Sequence, residues 1–245
     1  MTMTETTKTK KNDFIEIEFV AKTKEGIVFD TTNLDEAKKS GLVTDEELKK
    51  PEIMTKFKPL KICIGQGQIL KGFDKVLADK ETGKDYEIEL KAKEAYGIRD
   101  SKLIKTVPLS AFEEMPQRGI IVNVNGMMAK VISVAGGRIL IDLNHPLSGK
   151  DVSYKFKILK VIEEDKEKVE AFCENINLKP ESIDIKTNEK SEKKAIVALK
   201  KIDENSKKFL KEKLKAMTGL SLEIVETKEK ELQSLEAKAT DKKTE

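Results

Sequence analysis

Residues 62–97, ICIGQGQILKGFDKVLADKETGKDYEIELKAKEAYG, change their periodicity twice. An apolar run of Ile62, Cys63 and Ile64 has the form of a short strand. Gly65 and Gly67 then turn the chain, a place where positive φ favours glycine. Ile69 and Leu70 open a short helix whose Phe73, Val76 and Leu77 share one face, at the i, i+3, i+4 spacing of a buried stripe. After Gly83 the apolar residues alternate. Tyr86, Ile88 and Leu90 point one way and Glu87 and Glu89 the other, as in a half-buried strand. Strand, short helix and strand, ending at Tyr96-Gly97, predict a shallow apolar pocket roofed by the helix.

Two phosphate-binding readings of these glycines fail on spacing. A dinucleotide fingerprint needs its third glycine three residues after the second, but Leu70 stands there and glycine returns only at Gly72. A phosphate loop needs Gly-Lys followed by Ser or Thr, whereas Asp85 and Asp151 follow Gly83-Lys84 and Gly149-Lys150.

Upstream, Ile15, Ile17 and Phe19 alternate with Glu16 and Glu18, predicting a strand with one wet face. Lys24-Glu25-Gly26 supplies a hairpin turn, and Ile27-Val28-Phe29 starts a return strand ending at Asp30. In residues 33–58, Asn33 with Glu36 and Thr44 with Glu47 have capping-box spacing, with Gly41 and Pro51 as stops, so two short helices are expected in a flap. Far downstream, Val152, Tyr154, Phe156 and Ile158 alternate with Ser153, Lys155 and Lys157 as one more strand.

Residues 98–143 differ in character. Val107-Pro108 and Met115-Pro116 bracket an expected short helix capped by Ser110. Strand-like runs follow at 120–124, 127–134 and 138–143, joined by tight turns at Asn125-Gly126 and Gly136-Gly137. Met115, Met127 and Met128, with Ile120, Ile121, Val122 and Val131, lie in a segment too short to bury them all. Flexible methionines suit a surface that accepts varied apolar partners, although gap-filling in a core is their default role.

The runs Gly26-Ile-Val-Phe-Asp30, Gly67-Gln-Ile-Leu-Lys-Gly-Phe73, Glu94-Ala-Tyr-Gly97 and Asn144-His-Pro-Leu-Ser-Gly149, in this order, resemble the FKBP-type peptidyl-prolyl cis-trans isomerases of the SlyD-like and long archaeal branch. The resemblance implies an α+β fold: an FKBP-like antiparallel sheet wrapped on a short helix, an inserted small β-rich module, and a C-terminal small α+β domain. Over about residues 12–161 it implies an isomerase domain (13–97 plus 144–161, with the flap at 33–58) and an inserted module (98–143) that binds unfolded chains; a C-terminal domain (162–227) follows, and the polar leader (1–12) and charged tail (228–245) read as disordered from their composition.

The resemblance also implies roles. Asp30, Tyr96 and Ile69 would be catalytic, Asp30 lining the pocket while the Ile69 N–H and the Tyr96 hydroxyl hold the carbonyls either side of the proline. Phe19, Phe29, Leu60, Leu70, Phe73 and Tyr154 would surround the proline ring, with Phe73 as the floor. Phe19 stands where many relatives have tyrosine, and Phe73 where many have tryptophan. Met115, Ile120, Val122, Met127 and Met128 would form the chaperone surface. Ordinary core packing is the plain alternative for these apolar residues, most of all for Phe29 and Leu60. A holdase with a weak or inactive pocket is the rival function.

Composition bounds these readings. The chain has 245 residues, 38% apolar and 37% charged, with a net charge of +3. That suits two or three units with small cores rather than one large core. Nearly all the cations are lysine. Few arginines and no tryptophan argue against a base-reading surface, so no nucleic-acid partner is expected. Cys63 and Cys173 sit far apart in apolar surroundings and read as buried free thiols in a reducing compartment. With a polar N-terminus and no long apolar run, a cytoplasmic protein without membrane contact is expected. His145 is the lone histidine and lacks the ligand spacing of a metal site, so it is assigned a structural or hinge role. No metal or cofactor is expected, and the partners would be unfolded or partly folded proline-containing polypeptides. From residue 163 the pattern reads helix, strand, strand, helix, strand. Its apolar content is thin, which leaves packing on a neighbour or a homodimer as alternatives.

Overall fold

β1 (Phe14–Thr23) buries Ile15, Ile17, Phe19 and Ala21 and wets the residues between them, so its alternation becomes one packed face. The structure, a computed structural model, describes residues 7–187 and 193–226. β2 (Val28–Thr31) returns antiparallel to β1 after Gly26, whose φ of 85° needs the missing Cβ. Within residues 33–58, α1 (Leu34–Lys39) is capped as expected, the Asn33 side chain accepting the Glu36 N–H at 3.0 Å. The Thr44–Glu47 pair opens only one 3₁₀ turn over Glu47–Lys49. Pro51, expected as a stop, begins the next helical turn, α2 (Pro51–Met54), because its fixed φ and absent N–H suit a first helical position.

β3 (Leu60–Cys63) pairs antiparallel with β1. α3 (Lys71–Val76) then buries Phe73 and, at its end, Leu77, the stripe read from the spacing. β4 (Asp85–Leu90) follows. Residues 7–12, assigned to a disordered leader, are instead tied down: Thr9 is fully buried, its hydroxyl donating to the Leu77 carbonyl at 2.6 Å and its N–H to Lys80 O at 2.8 Å. A polar strap of this kind has no apolar periodicity by which to announce itself. Residues 1–6 and the tail 228–245 lie outside the described residues.

The next stretch folds as a separate four-stranded antiparallel sheet of β5 (Ile104–Pro108), β6 (Ile121–Val124), β7 (Met127–Ala135) and β8 (Arg138–Asp142), in the order β5-β8-β7-β6. Both tight turns are made by paired residues with positive φ, Asn125-Gly126 and Gly136-Gly137. β5 was not foreseen. It is an edge strand, which is why it tolerates Pro108. The helix expected at Ser110 is a single 3₁₀ turn, Leu109–Ala111, with Ser110 inside it, held because the Leu109 N–H donates to Gly137 O at 2.9 Å. Its core is Ala129, Val131, Ile139 and Ile141.

β9 (Val152–Ile162) returns to the first sheet, giving the order β2-β1-β9-β4 with β3 also on β1. After it come α4 (Asp165–Asn175), β10 (Ser182–Thr187), β11 (Lys193–Leu199), α5 (Glu204–Thr218) and β12 (Ser221–Glu226). β10 and β12 flank β11, the first antiparallel and the second parallel. α5 is capped by the Asp203 carboxylate on the Ser206 N–H and ends at left-handed Gly219. The architecture is therefore α+β, dominated by antiparallel pairing, with few helices.

The C-terminal elements pack on the first sheet. Phe14 is cross-strand partner to both Cys63 and Ile162, and all three face away from the Phe73 side into a cluster with Val169, Phe172 and Cys173 of α4. Asn175 Nδ2 donates to Lys61 O at 2.7 Å, and Lys61 and Lys160 both grip Glu167. These two lysines hold the Glu167 carboxyl below its ordinary range. Both cysteines are free and buried. Burial pushes their thiols up, Cys63 to about 12 and Cys173 to about 11, so neither is a thiolate at neutral pH.

Candidate active site

Five aromatic rings from five parts of the chain meet over the first sheet. Phe73 of α3 stacks on Tyr154 of β9 with centroids 4.4 Å apart, and Phe19 of β1 meets Phe73 edge-on at 6.0 Å. Phe29 of β2 stands edge-on to both Tyr154 (6.2 Å) and Tyr96 (5.8 Å). Leu60, Ile69, Leu70 and Tyr96 are half-buried against the same cluster. The eight apolar and aromatic residues named for the pocket are thus brought together, the first three rings nearly closed from solvent and the rest forming an open wall.

Polar groups on this wall are few. Asp30, near the end of β2, is exposed as a residue, while desolvation raises the pKa of its carboxyl. The Tyr96 and Tyr154 hydroxyls interact with each other, and burial raises both phenols, Tyr154 the more. The Ile69 N–H donates no hydrogen bond to the described residues, and the Ile69 side chain packs against this cluster.

The positions of these groups depend on residues outside the wall. Thr32 Oγ1 accepts the Phe19 N–H at 2.9 Å and Thr31 Oγ1 donates to Phe19 O at 2.9 Å, which locks β1 to β2 beneath Phe29 and Asp30. The buried Asp74 carboxylate accepts the Gly65 N–H at 2.7 Å and the Gly67 N–H at 3.0 Å, shaping the loop that presents Ile69. Gly72 lets α3 touch the 91–97 turn: a Cβ there would lie 2.5 Å from Glu94 O. His145 stacks flat on Tyr96, 4.5 Å away and 4° from parallel, while Ser148 Oγ donates to Tyr96 O and the Gly149 N–H to Gly97 O. Sequence reasoning missed Asp74 and the His145 stack. An acid one residue after a buried aromatic is a signal that could have found the first; the second joins residues 49 positions apart and has no local signature.

Residues 5–109 match the family described as FKBP-type peptidyl-prolyl cis-trans isomerase, and residues 105–147 match one described as FKBP26, IF domain. The chain is thus similar, over somewhat under half its length, to the FKBP-type peptidyl-prolyl cis-trans isomerases. It is 26% identical over 155 residues to a short-type peptidyl-prolyl cis-trans isomerase of Methanocaldococcus jannaschii, covering 62% of this chain and 93% of the relative. It is 30% identical over 117 residues to the FKBP-type isomerase SlyD of Helicobacter pylori, covering 45% and 63%, and 23% identical over 117 residues to SlyD of Escherichia coli K12, covering 45% and 60%. The chain thus spans somewhat under two thirds of these two SlyD proteins.

A cleft of about 690 Å³ lies between β6–β7 and the 144–150 turn. His145 lines the cleft and stacks on Tyr96, so it links the cleft to the aromatic cluster. On the inserted sheet Met115, Met128 and Met127 are 69%, 63% and 54% exposed, and Ile120 is exposed too. Val122 does not join them. Its cross-strand partner is buried Ala129, so it points into the insert's core, and exposed Ile121, paired with Lys130, takes the outward position. No helix among the described residues is long and apolar enough to cross a membrane.

Proposed function

We propose that this chain accelerates cis–trans isomerisation of X–Pro bonds in unfolded or partly folded polypeptides, and that the inserted sheet holds the client beside the pocket. The observation that carries this reading is the convergence of Phe19, Phe29, Phe73, Tyr96 and Tyr154 around a wall bearing Asp30 and the unpaired Ile69 N–H. The reaction breaks no covalent bond; it lowers a rotation barrier of about 18–20 kcal/mol that amide resonance maintains. Water reinforces that resonance by solvating the charge-separated planar amide. Moving the prolyl ring among aromatic rings withdraws that solvation, which favours the twisted amide. Ile69 N–H would take the carbonyl on one side of the proline and the Tyr96 hydroxyl that on the other, while Asp30, at the mouth, would interact with the twisting amide. Leu60 and Leu70 close the sides. The exposed methionines and Ile120 and Ile121 would bind client apolar groups loosely. Two buried free thiols support a reducing, cytoplasmic setting.

A holdase with a weak or inactive pocket is the second reading, favoured by the tight Phe73–Tyr154 stack and by Phe19, which offers no hydroxyl to orient Asp30. A protease-coupled or NMR exchange assay on a short proline peptide separates the two. The expected result is acceleration by the native chain and a marked loss in Tyr96→Ala and Asp30→Ala, both with unchanged circular dichroism. Unchanged rates in both variants would remove the residue assignment, and no acceleration by the native chain would leave the holdase.

A further inference from the structure

The cleft between the inserted sheet and the 144–150 turn has a charge that the isomerase reading leaves unused. Two of the chain's three arginines, Arg99 and Arg118, line it, together with Lys130 and Lys150. Among the described residues one carboxylate, Asp142, lines the cleft with them, and it is committed: Arg99 pairs with it at 2.6 Å, and Asn144 donates to it from both its backbone and side-chain nitrogens. Burial alone would raise the Asp142 carboxyl, but those bonds bring it below its ordinary range, so it stays ionised and the Arg99 pair persists. Lys150 shares its field with Glu25. Arg118 and Lys130 have no ion-pair partner among the described residues. Apolar lining comes from Ile121, Met128 and Val131. In this cleft cations outnumber carboxylates beside an apolar lining.

We infer that this cleft selects polypeptide clients in which acidic residues interleave with apolar ones, Arg118 and Lys130 receiving the carboxylates while Ile121 and Met128 receive the apolar side chains. The selection rests on the proposal that the insert holds unfolded chains. Arg118 is suited to the task because its planar fork meets a carboxylate with two parallel hydrogen bonds, whereas lysine offers a point charge. His145 also lines the cleft, so a client seated there would lie near the ring on which Tyr96 stacks. The consequence is a preference for prolines in acidic, apolar surroundings, with no change in how a neutral short peptide is turned over.

The test uses the full chain and three fluorescent twelve-residue peptides of one apolar pattern, carrying two Glu, two Gln or two Lys. Anisotropy at low salt should give the Glu peptide about threefold tighter binding per carboxylate than its Gln counterpart, the size expected for an exposed pair. The Lys peptide should bind weakest, and the differences should shrink at high salt as the charges are screened. Arg118→Glu should abolish or reverse the preference. Arg138→Glu, an equal change in net charge at the start of β8 and outside the cleft, should leave it in place. A neutral proline tetrapeptide should be isomerised at the native rate by both variants, so failure of the isomerase reading would appear there and failure of the cleft in the peptide series. Equal binding of the three peptides, no binding of any, a preference that survives Arg118→Glu, or displacement of the Glu peptide by single-stranded DNA at equal charge would each overturn the proposal, the last assigning the cleft to nucleic acid.

Discussion

Asp30 combines an exposed surface with a carboxyl whose pKa desolvation raises, and this has a sign that can be measured. Its folded pKa lies above its unfolded one, so the folded state binds the extra proton between the two values and ionised Asp30 costs stability at neutral pH. Asp30→Asn should therefore raise Tm slightly at pH 7, the gain vanishing as the pH is lowered to about 4, while isomerase turnover falls. A lower Tm at pH 7 would mean that hydrogen bonding, not desolvation, governs this carboxylate. Gly72 is a steric case. With Glu94 O only 2.5 Å from the would-be Cβ, Gly72→Ala must push the 91–97 turn away from α3. Denaturant unfolding should show a loss of about 1–3 kcal/mol, the usual cost of overpacking, and turnover should drop because Tyr96 rides on that turn. Phe73 has a double duty. It is 2% exposed and contacts Phe19, Tyr154 and Phe156, so Phe73→Ala should cost about 3–5 kcal/mol and activity together.

The inserted sheet is built to be removable. It has its own core, and its two ends meet: Asp100 N donates to Asn144 Oδ1 at 2.8 Å and Asn144 Nδ2 to Asp100 O at 2.9 Å. The bonds that hold Tyr96 and Gly97, from Ser148 and Gly149, lie outside it. If the insert holds clients as proposed, joining Gly97 directly to Asn144 should preserve turnover of a tetrapeptide while sharply slowing a proline-limited refolding reaction, because a client would lose its high effective concentration beside the proposed site. Both rates are read on the same shortened chain. Equal slowing of the two would mean damage to the isomerase domain. Slowing of neither would move client binding away from the insert, and the flap at 33–58 would become the better candidate.

Across the chain, the C-terminal elements and the first sheet share one core. The thin apolar content of residues 163–226 is supplemented by Phe14, Cys63 and Ile162 of the first sheet, each about 1% exposed, so the need that raised a homodimer is met within one chain. Ending the chain at residue 162 leaves every pocket residue in place but uncovers these three. Exposing Phe14 and Ile162 should cost about 1.5–3 kcal/mol each, so the truncated protein should retain peptide turnover at low temperature yet unfold several degrees earlier and aggregate more readily. A truncation with unchanged Tm would mean that the shared cluster contributes little to stability. Phe14→Ala in the full chain should reproduce part of the same loss.

Local patterning was enough for much of this. Period-two alternation placed β1, β4 and β9, the i, i+3, i+4 stripe placed Phe73 and Leu77 on α3, and paired positive-φ residues placed the turns at Asn125-Gly126 and Gly136-Gly137. The resemblance carried by the ordered motifs named together residues that the fold gathers into one cluster. Alternation says that neighbouring side chains oppose one another but not which of them meets a core. That was decided by cross-strand partners: Ala129 drew Val122 inward and left Ile121 outside. Polar anchors such as Thr9 and Asp74 follow no hydrophobic period, since their places are set by the backbone groups they satisfy. The covering of Phe14 by α4, the stack of His145 on Tyr96 and the gathering of Arg99, Arg118 and Lys130 around one cleft all join distant parts of the chain. Only the folded arrangement could decide them, because burial and charge density are properties of neighbours in space.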